Sequence, residues 1–133
     1  ITSASTVVGW RRSRAWAKDQ VVYFALEFSQ PFASYGVAVD DNLQDGIKSV
    51  TVTPGGALSD GRSGNLKAYF RFATRARAPV LVKAGISAVD INGALRNLQT
   101  ELNHWNFDKV KSEAKAAWNA ELNKITVTGG NEE

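Results

Sequence analysis

The chain is 133 residues long, 44% apolar by composition, carries a net charge of +3 and contains no cysteine. That length fits one domain with enough apolar residues for a real core, and the lack of cysteine excludes a disulfide framework, a thiolate metal site and a thiol nucleophile. The longest apolar runs are strand-sized, so no membrane span is expected, and no charged start leads into an apolar stretch as in a signal peptide.

The chain opens on Ile1, Thr2 and Ser3 rather than on Met, which reads as a mature or cut piece of something longer. Residues 6–10 form a first strand candidate, and 11–19, rich in Arg and Trp, read as a loop or bend. Residues 20–29 are the best strand in the sequence. Val22, Phe24, Leu26 and Phe28 fall on one face, and Val21, Tyr23, Ala25 and Glu27 on the other. Both faces are largely apolar, which predicts a central position in its sheet. Pro31 then stops the ladder, because it has no N–H to give. Residues 35–39 read as a strand, 40–46 as a polar turn, 47–53 as a strand, and 54–65, with its Gly and Pro residues, as a loop. A strand over 66–74 places Ala68, Phe70 and Phe72 inward and Lys67, Tyr69 and Arg71 outward. A turn over 75–78 leads into a last strand over 79–86.

Near Ser87 the hydrophobic period changes from about 2 to about 3.6. A first helix is predicted over 91–102 with Asp90 as N-cap. Its apolar stripe is Ile91, Ala94, Leu95, Leu98 and Leu102. A second helix is predicted up to about 123 with Asp108 as cap, Phe107 as a hydrophobic staple, and a stripe of Val110, Ala114, Ala117, Trp118 and Leu122. Ile125, Thr126 and Val127 read as a short β-type tail. No helical pattern separates consecutive strands, which argues against parallel βαβ units. The expected fold is therefore mainly β with C-terminal helices (α+β): an antiparallel β-sandwich of about six strands over 1–88, followed by two amphipathic helices in an arm over 89–133. Through Ile86 there are 11 Lys/Arg against 6 Asp/Glu, a net +5, and from Ser87 onward 5 against 7, a net −2. A mildly basic β part thus joins a mildly acidic arm.

Few residues converge on a chemistry. Gly56 to Ser63 nearly match a phosphate-binding loop, with Arg62 where Lys is required, but a strand rather than a helix follows. Asp40, Asn42 and Gln44 alternate as in a calcium loop, yet Asp45 and Thr51 stand where an EF-hand needs Gly and Glu. His104 is the only histidine and lies in the link between the helices, where packing or a helix-end hydrogen bond is expected of it. Glu27 is the one acid in a strongly apolar strand, and nothing in the sequence supplies the second carboxylate that glycoside hydrolysis needs. Trp10, Arg11, Arg12, Arg14, Trp16 and Lys18 interleave aromatic and basic groups, as a single-stranded nucleic acid site would. Between two strands such residues more often build a core, a rim or an interface. The reading is structural or interdomain first, carbohydrate second, with no nucleic-acid partner expected. Trp10, Arg12 and Trp16 remain the substrate-binding candidates; no catalytic and no metal-ligating residue is assigned.

Several stretches, in order, resemble the α-mannosidases of glycoside hydrolase family 92. They are Gly9-Trp10-Arg11-Arg12-Ser13 with Trp16-Ala17, and Val22-Tyr23-Phe24-Ala25-Leu26-Glu27-Phe28-Ser29-Gln30-Pro31-Phe32. Val82-Lys83-Ala84-Gly85-Ile86-Ser87, Ala94-Leu95-Arg96-Asn97-Leu98 and Trp105-Asn106-Phe107-Asp108-Lys109-Val110 follow. Residues 96–102 and Asn106 are less charged than expected of the family. The resemblance implies the later part of an N-terminal β-sandwich domain and the helices that link it to a large α/α-barrel catalytic domain. The parent it implies is an exported bacterial enzyme, a calcium-dependent, inverting exo-α-1,2-mannosidase acting on terminal α-mannosides of glycans. Catalytic residues and calcium ligands would then lie mainly in the barrel, leaving this piece inactive alone and without a cofactor of its own. The alternative is a carbohydrate- or protein-binding β-sandwich module with no enzymatic role.

Overall fold

The computed structural model describes residues 1–50, 66–75 and 78–130. Two compact units divide the chain, Ile1–Asn103 and His104–Glu133. Among the described residues the first unit holds two three-stranded antiparallel sheets and one helix.

The first sheet runs in the order β1 (Thr6–Ser13), β2 (Gln20–Phe28), β6 (Val82–Ser87). β2 is central, as its two apolar faces predict. Pairing Val8 with Ala25 and Ala25 with Gly85 puts Val8, Ala25 and Gly85 on one face, since alternate residues share a face. The helix α1 (Ile91–Glu101) lies on that face, against β6 and β2. Ala25, Ala94 and Leu98 are its buried centre, with Val8, Tyr23 and Leu95 packed around them. Gly85 makes this possible. A Cβ there would come 2.7 Å from the Leu98 Cβ and 2.9 Å from the Leu98 backbone nitrogen, and closer still to the Ala94 carbonyl oxygen. Helix backbone thus rests directly on strand backbone. Asp90 caps α1 as expected, its side chain accepting from the Gly93 N–H at 2.5 Å.

The second sheet runs β4 (Asn42–Asp45), β3 (Ser34–Val39), β5 (Leu66–Arg71). β3 and β4 are joined by the two residues Asp40 and Asp41, and Asp40 adopts a left-handed φ of 51°, which Asp tolerates better than most residues. Gly36 pairs with Asp45 on one side and Tyr69 on the other. The Tyr69 ring lies over Gly36, where a Cβ would come 2.7 Å from its hydroxyl, and the hydroxyl donates to Asp45. That hydrogen bond, to a carboxylate, is the main reason the Tyr69 pKa lies above its ordinary value. The Arg71 guanidinium sits 5.1 Å from the centre of the same ring. On the opposite face of β5, Phe70 stacks on Phe32 with ring centres 4.6 Å apart. Phe28, from the end of β2, lies 5.6 Å from Phe70 and 5.3 Å from both Phe32 and Phe72. These four rings join one sheet to the other.

Six strands and two helices are present among the described residues, but several expected boundaries change: the strand expected over 66–74 ends at Arg71, and the one expected over 79–86 runs Val82–Ser87. The first strand extends to Ser13, so the loop shrinks to 14–19. The expected turn at 40–46 contains β4. Residues 47–50 form no strand; the rest of the strand expected over 47–53, the loop over 54–65 and its near-match to a phosphate loop fall outside the described residues, as do two residues of the turn at 75–78.

The second unit contains α2 (Phe107–Leu122). Its N-cap is Asn106, not Asp108: the Asn106 side chain accepts from the Lys109 N–H at 2.9 Å. Phe107 is therefore the first helical residue and not a staple, and Asp108 stands in the first turn, where its charge favours the helix N-terminus. His104 Nδ1 accepts the Asn106 backbone N–H at 3.2 Å, a helix-end role. Residues 125–127 pair with no strand among the described residues.

Candidate functional site

The substrate-binding candidates lie on the β1–β2 hairpin. β1 and β2 pair in register up to Ser13 opposite Gln20, leaving a six-residue tip over 14–19. Trp10 and Arg12, two residues apart, share the face that carries Val8. Trp10 lies opposite Tyr23 and Arg12 opposite Val21. The Arg12 guanidinium grips Asp19 with both arms, Nε to Oδ1 and Nη2 to Oδ2, each at 2.6 Å. This is the fork geometry that makes Arg–carboxylate pairs strong and directional. Arg14 Nε donates to the Lys18 carbonyl at 3.0 Å, and the Ala15 N–H to the Ala17 carbonyl at 3.0 Å. The tip is thus braced at its base and across its middle. Trp16 stands at its end, fully exposed. The hairpin therefore brings Trp10 and Arg12 onto one face and sets Trp16 apart at the tip.

The Arg12 hydrogen bond holds the Asp19 pKa below the ordinary carboxylate range, and the same bond raises that of Arg12. A carboxylate whose folded pKa is depressed stabilises the fold above its unfolded pKa, and that contribution is lost as pH falls through the folded value. The hairpin tip is accordingly expected to loosen on acidification below the ordinary Asp range. Asp19→Asn should show the looser tip already at neutral pH and respond less to acid. Amide exchange of residues 14–19 measures both; equal protection in the two proteins would remove the brace from the account.

Glu27 faces a cation rather than a second acid. Lys83 Nζ lies 2.9 Å from Glu27 Oε2 and donates to the Leu102 carbonyl at 3.1 Å, with its side chain only 12% exposed. A cation at the end of α1 also complements the helix dipole. The pair lies in a groove of about 350 Å3 whose lining includes Thr6, Leu95, Leu98 and Leu102. A Lys–Glu pair can neutralise charge and anchor the helix end, but it lacks the two facing carboxylates of a glycosidase centre. Among the described residues no group of three or more His, Cys, Asp or Glu is placed to hold a metal ion. Asp41 pairs with Lys67 at 3.3 Å and Asp45 accepts from Tyr69, so the acids of the β3–β4 hairpin serve the sheet.

The comparisons with known proteins decide the family. Residues 1–87 match the glycosyl hydrolase family 92 N-terminal domain, and residues 93–133 match the family 92 catalytic domain. The chain belongs to glycosyl hydrolase family 92. An uncharacterized secreted glycosidase of Arthroderma benhamiae is 34% identical over 83 residues, which are 56% of this chain and 11% of that protein. The structure of the GH92 α-mannosidase BT3965 from Bacteroides thetaiotaomicron shares 27% identity, with a TM-score of 0.75 over 98% of this chain and 17% of its own. The same enzyme solved with mannoimidazole gives the same identity and TM-score. The inverting mannosidase BT2199 from that organism, at 20% identity and a TM-score of 0.74, shares the fold over 98% of this chain and 16% of its own. The family 92 chain thus spans about a sixth or less of the length of the relatives it matches. No described helix is long and apolar enough to cross a membrane.

Sequence reasoning placed Trp10, Arg12 and Trp16 in one cluster but missed Asp19 as the brace. Asp19 is the last residue of the tip, and only the closed hairpin, with β1 extended to Ser13, brings it beside Arg12. It also missed Lys83 as the partner of Glu27, because two residues 56 positions apart in sequence become neighbours only once β6 pairs with β2.

Proposed function

We propose that this family 92 chain is the non-catalytic junction of an exported bacterial α-1,2-mannosidase, joining a β-sandwich over 1–88 to a helical arm over 89–133 that leads into an α/α-barrel catalytic domain. The observation that carries this reading is the meeting of two family profiles in one short chain, N-terminal up to residue 87 and catalytic from residue 93. The likeness to an α-mannosidase over 98% of the chain supports the substrate class, and the name of the secreted relative supports export. The pairing of Glu27 with Lys83 supports a catalytic acid and base that lie elsewhere. In this reading calcium, like the glycan, is bound by the rest of the parent enzyme. The test is mannose release from α-1,2-mannobiose. The polypeptide that joins this chain to its catalytic remainder should hydrolyse it, and the 133 residues alone should release none, with or without added calcium. Turnover by the 133 residues alone would overturn the reading.

The exposed Trp16 on a braced tip favours a second reading, a sugar-binding surface, because an indole face packs well on a pyranose ring. Saturable binding of mannobiose that disappears in Trp16→Ala would support it, and a flat calorimetric titration of the unaltered chain would remove it.

A further inference from the structure

We propose that Asn92 is a deamidation site that the cap of α1 holds shut, and that each opening of the first turn of α1 exposes it to an irreversible conversion to isoaspartate.

The dipeptide comes first. Asn92-Gly93 is the only Asn followed by Gly in the chain. In such a pair no side chain hinders attack of the Gly nitrogen on the Asn side-chain amide, and the Gly backbone is the least restricted of any residue. Packing explains why Gly stands there although it weakens a helix. A Cβ at Gly93 would come 2.6 Å from the Ser87 Oγ, 3.1 Å from the Asp90 Oδ1 and 3.2 Å from the Ser87 Cβ. The seat of α1 against the end of β6 therefore requires the residue that makes Asn92 labile. Gly93 is buried, whereas Asn92 is exposed, so water reaches the side chain that would react.

The folded turn blocks the reaction. Attack needs the Gly93 nitrogen free of its proton and the Asn92 backbone turned out of the helical ψ of about −40°. In α1 the Gly93 N–H is donated to the Asp90 Oδ1 at 2.5 Å, and the Ala94 N–H to the Asp90 carbonyl at 3.2 Å. One turn further on, Asn97 Nδ2 donates to the Ile86 carbonyl at 2.9 Å and fastens the helix to the strand. When the turn opens, hydroxide takes the Gly93 proton and the nitrogen attacks the Asn92 Cγ. The N–Cγ bond forms, the Cγ–Nδ2 bond breaks, and Nδ2 leaves as ammonia after taking a proton from water. Water then adds to one of the two imide carbonyls and breaks its bond to nitrogen, leaving aspartate or isoaspartate at position 92. Isoaspartate routes the main chain through its side-chain carbon and so adds one backbone atom between Asp90 and Gly93. Gly93 can then no longer keep both its bond to Asp90 and its place against Ser87, and the turn does not re-form.

The test compares the 133-residue chain with a free peptide of residues 88–97 in mildly alkaline buffer. Mass spectrometry follows the amide-to-acid change at position 92, and a protein isoaspartyl methyltransferase reads isoaspartate. The chain should convert at least about tenfold more slowly than the peptide. Asp90→Ala should raise its rate by about fivefold, and Asp90→Ser, which keeps an oxygen acceptor at the cap, should stay within about twofold of the original. In the unaltered chain, urea below the unfolding transition should raise the conversion rate and the exchange rate of the Gly93 amide in parallel, an arm that needs no variant to fold. The isoaspartate form, once separated, should exchange the amides of 93–98 faster than the unconverted chain. A chain that converts as fast as the peptide would overturn the proposal, as would a folded Asp90→Ala protein that converts at the original rate. So would conversion that rises in urea without Gly93 exchange, or an isoaspartate form with unchanged protection over 93–98.

Discussion

Gly85→Ala is expected to lower the thermal unfolding midpoint of the chain by on the order of 15 °C. The reason is where the added methyl would go. It would meet the Leu98 backbone nitrogen at 2.9 Å, the Leu98 Cβ at 2.7 Å, and the Ala94 carbonyl oxygen more closely still. Two of those three atoms are helix backbone and cannot rotate away. Relief requires α1 to lift from β6, and lifting it opens the buried cluster that holds α1, Ala25 with Ala94 and Leu98. Overpacking of this kind costs about 3 kcal/mol, a large share of a small domain's total stability of about 5–15 kcal/mol. Ala84→Ser, one residue away on the exposed face of β6, should stay within about 0.5 kcal/mol. Circular dichroism melts of the three proteins decide the matter. A Gly85→Ala protein as stable as the original would mean that α1 does not rest on this strand as described.

The parts of this fold that the sequence makes plain are those where pattern and packing agree. β2 alternates two apolar faces and is the central strand. α1 spaces Ala94 and Leu98 on one side, and those residues are buried. β4 was hidden for the opposite reason. Asn42 to Asp45 are all exposed, and Asn and Asp are turn formers by local preference. Only the ladder to β3 makes a strand of them, and a ladder to residues earlier in the chain leaves no local period to read. The polar end of β1 is a similar case: Arg11, Arg12 and Ser13 carry no apolar alternation, and it is register with Val22, Val21 and Gln20 that extends the strand. Residues 47–50 err the other way, offering Ile47 and Val50 at strand-like spacing without a ladder. At the second helix the ambiguity was between two near-equal caps. Asn and Asp serve almost equally well at that position, so Asn106 and Asp108 could not be separated until the hydrogen bond to Lys109 was seen. The candidate site follows the same rule: the cluster of Trp and Arg types is legible, whereas the Arg12–Asp19 pair that braces it, and the Lys83–Glu27 pair at the other end of β2, depend on which strands meet.

Phe28→Ala is expected to cost about 2–3 kcal/mol, toward the lower end for a buried Phe because the ring is only half-buried. Its effect on cooperativity should exceed its effect on stability. Phe28 is the ring through which the first sheet reaches the second, touching Phe32, Phe70 and Phe72 at 5.3–5.6 Å. Without it, Phe32 and Phe70 still stack on each other at 4.6 Å, so the second sheet keeps its own aromatic contacts while losing those to β2. The sheets should then melt less nearly as one. With Trp16, Trp105, Trp118 and Tyr23 each replaced by Phe in the background protein, Trp10 remains in the first sheet and Tyr35 and Tyr69 in the second, so indole fluorescence and near-ultraviolet tyrosine dichroism follow different halves of the unit. In that background the two signals should give coincident urea transitions, the mark of two-state unfolding. In Phe28→Ala they should separate, and in Phe28→Leu, which keeps most of the apolar volume, they should stay together. Coincident transitions in Phe28→Ala would mean that something other than these rings binds the sheets. The backbone hydrogen bonds from Phe28 to Ser5 and from Ser29 to Leu81, both at 2.9 Å, cannot take that role, because both hold the end of β2 to segments flanking its own sheet.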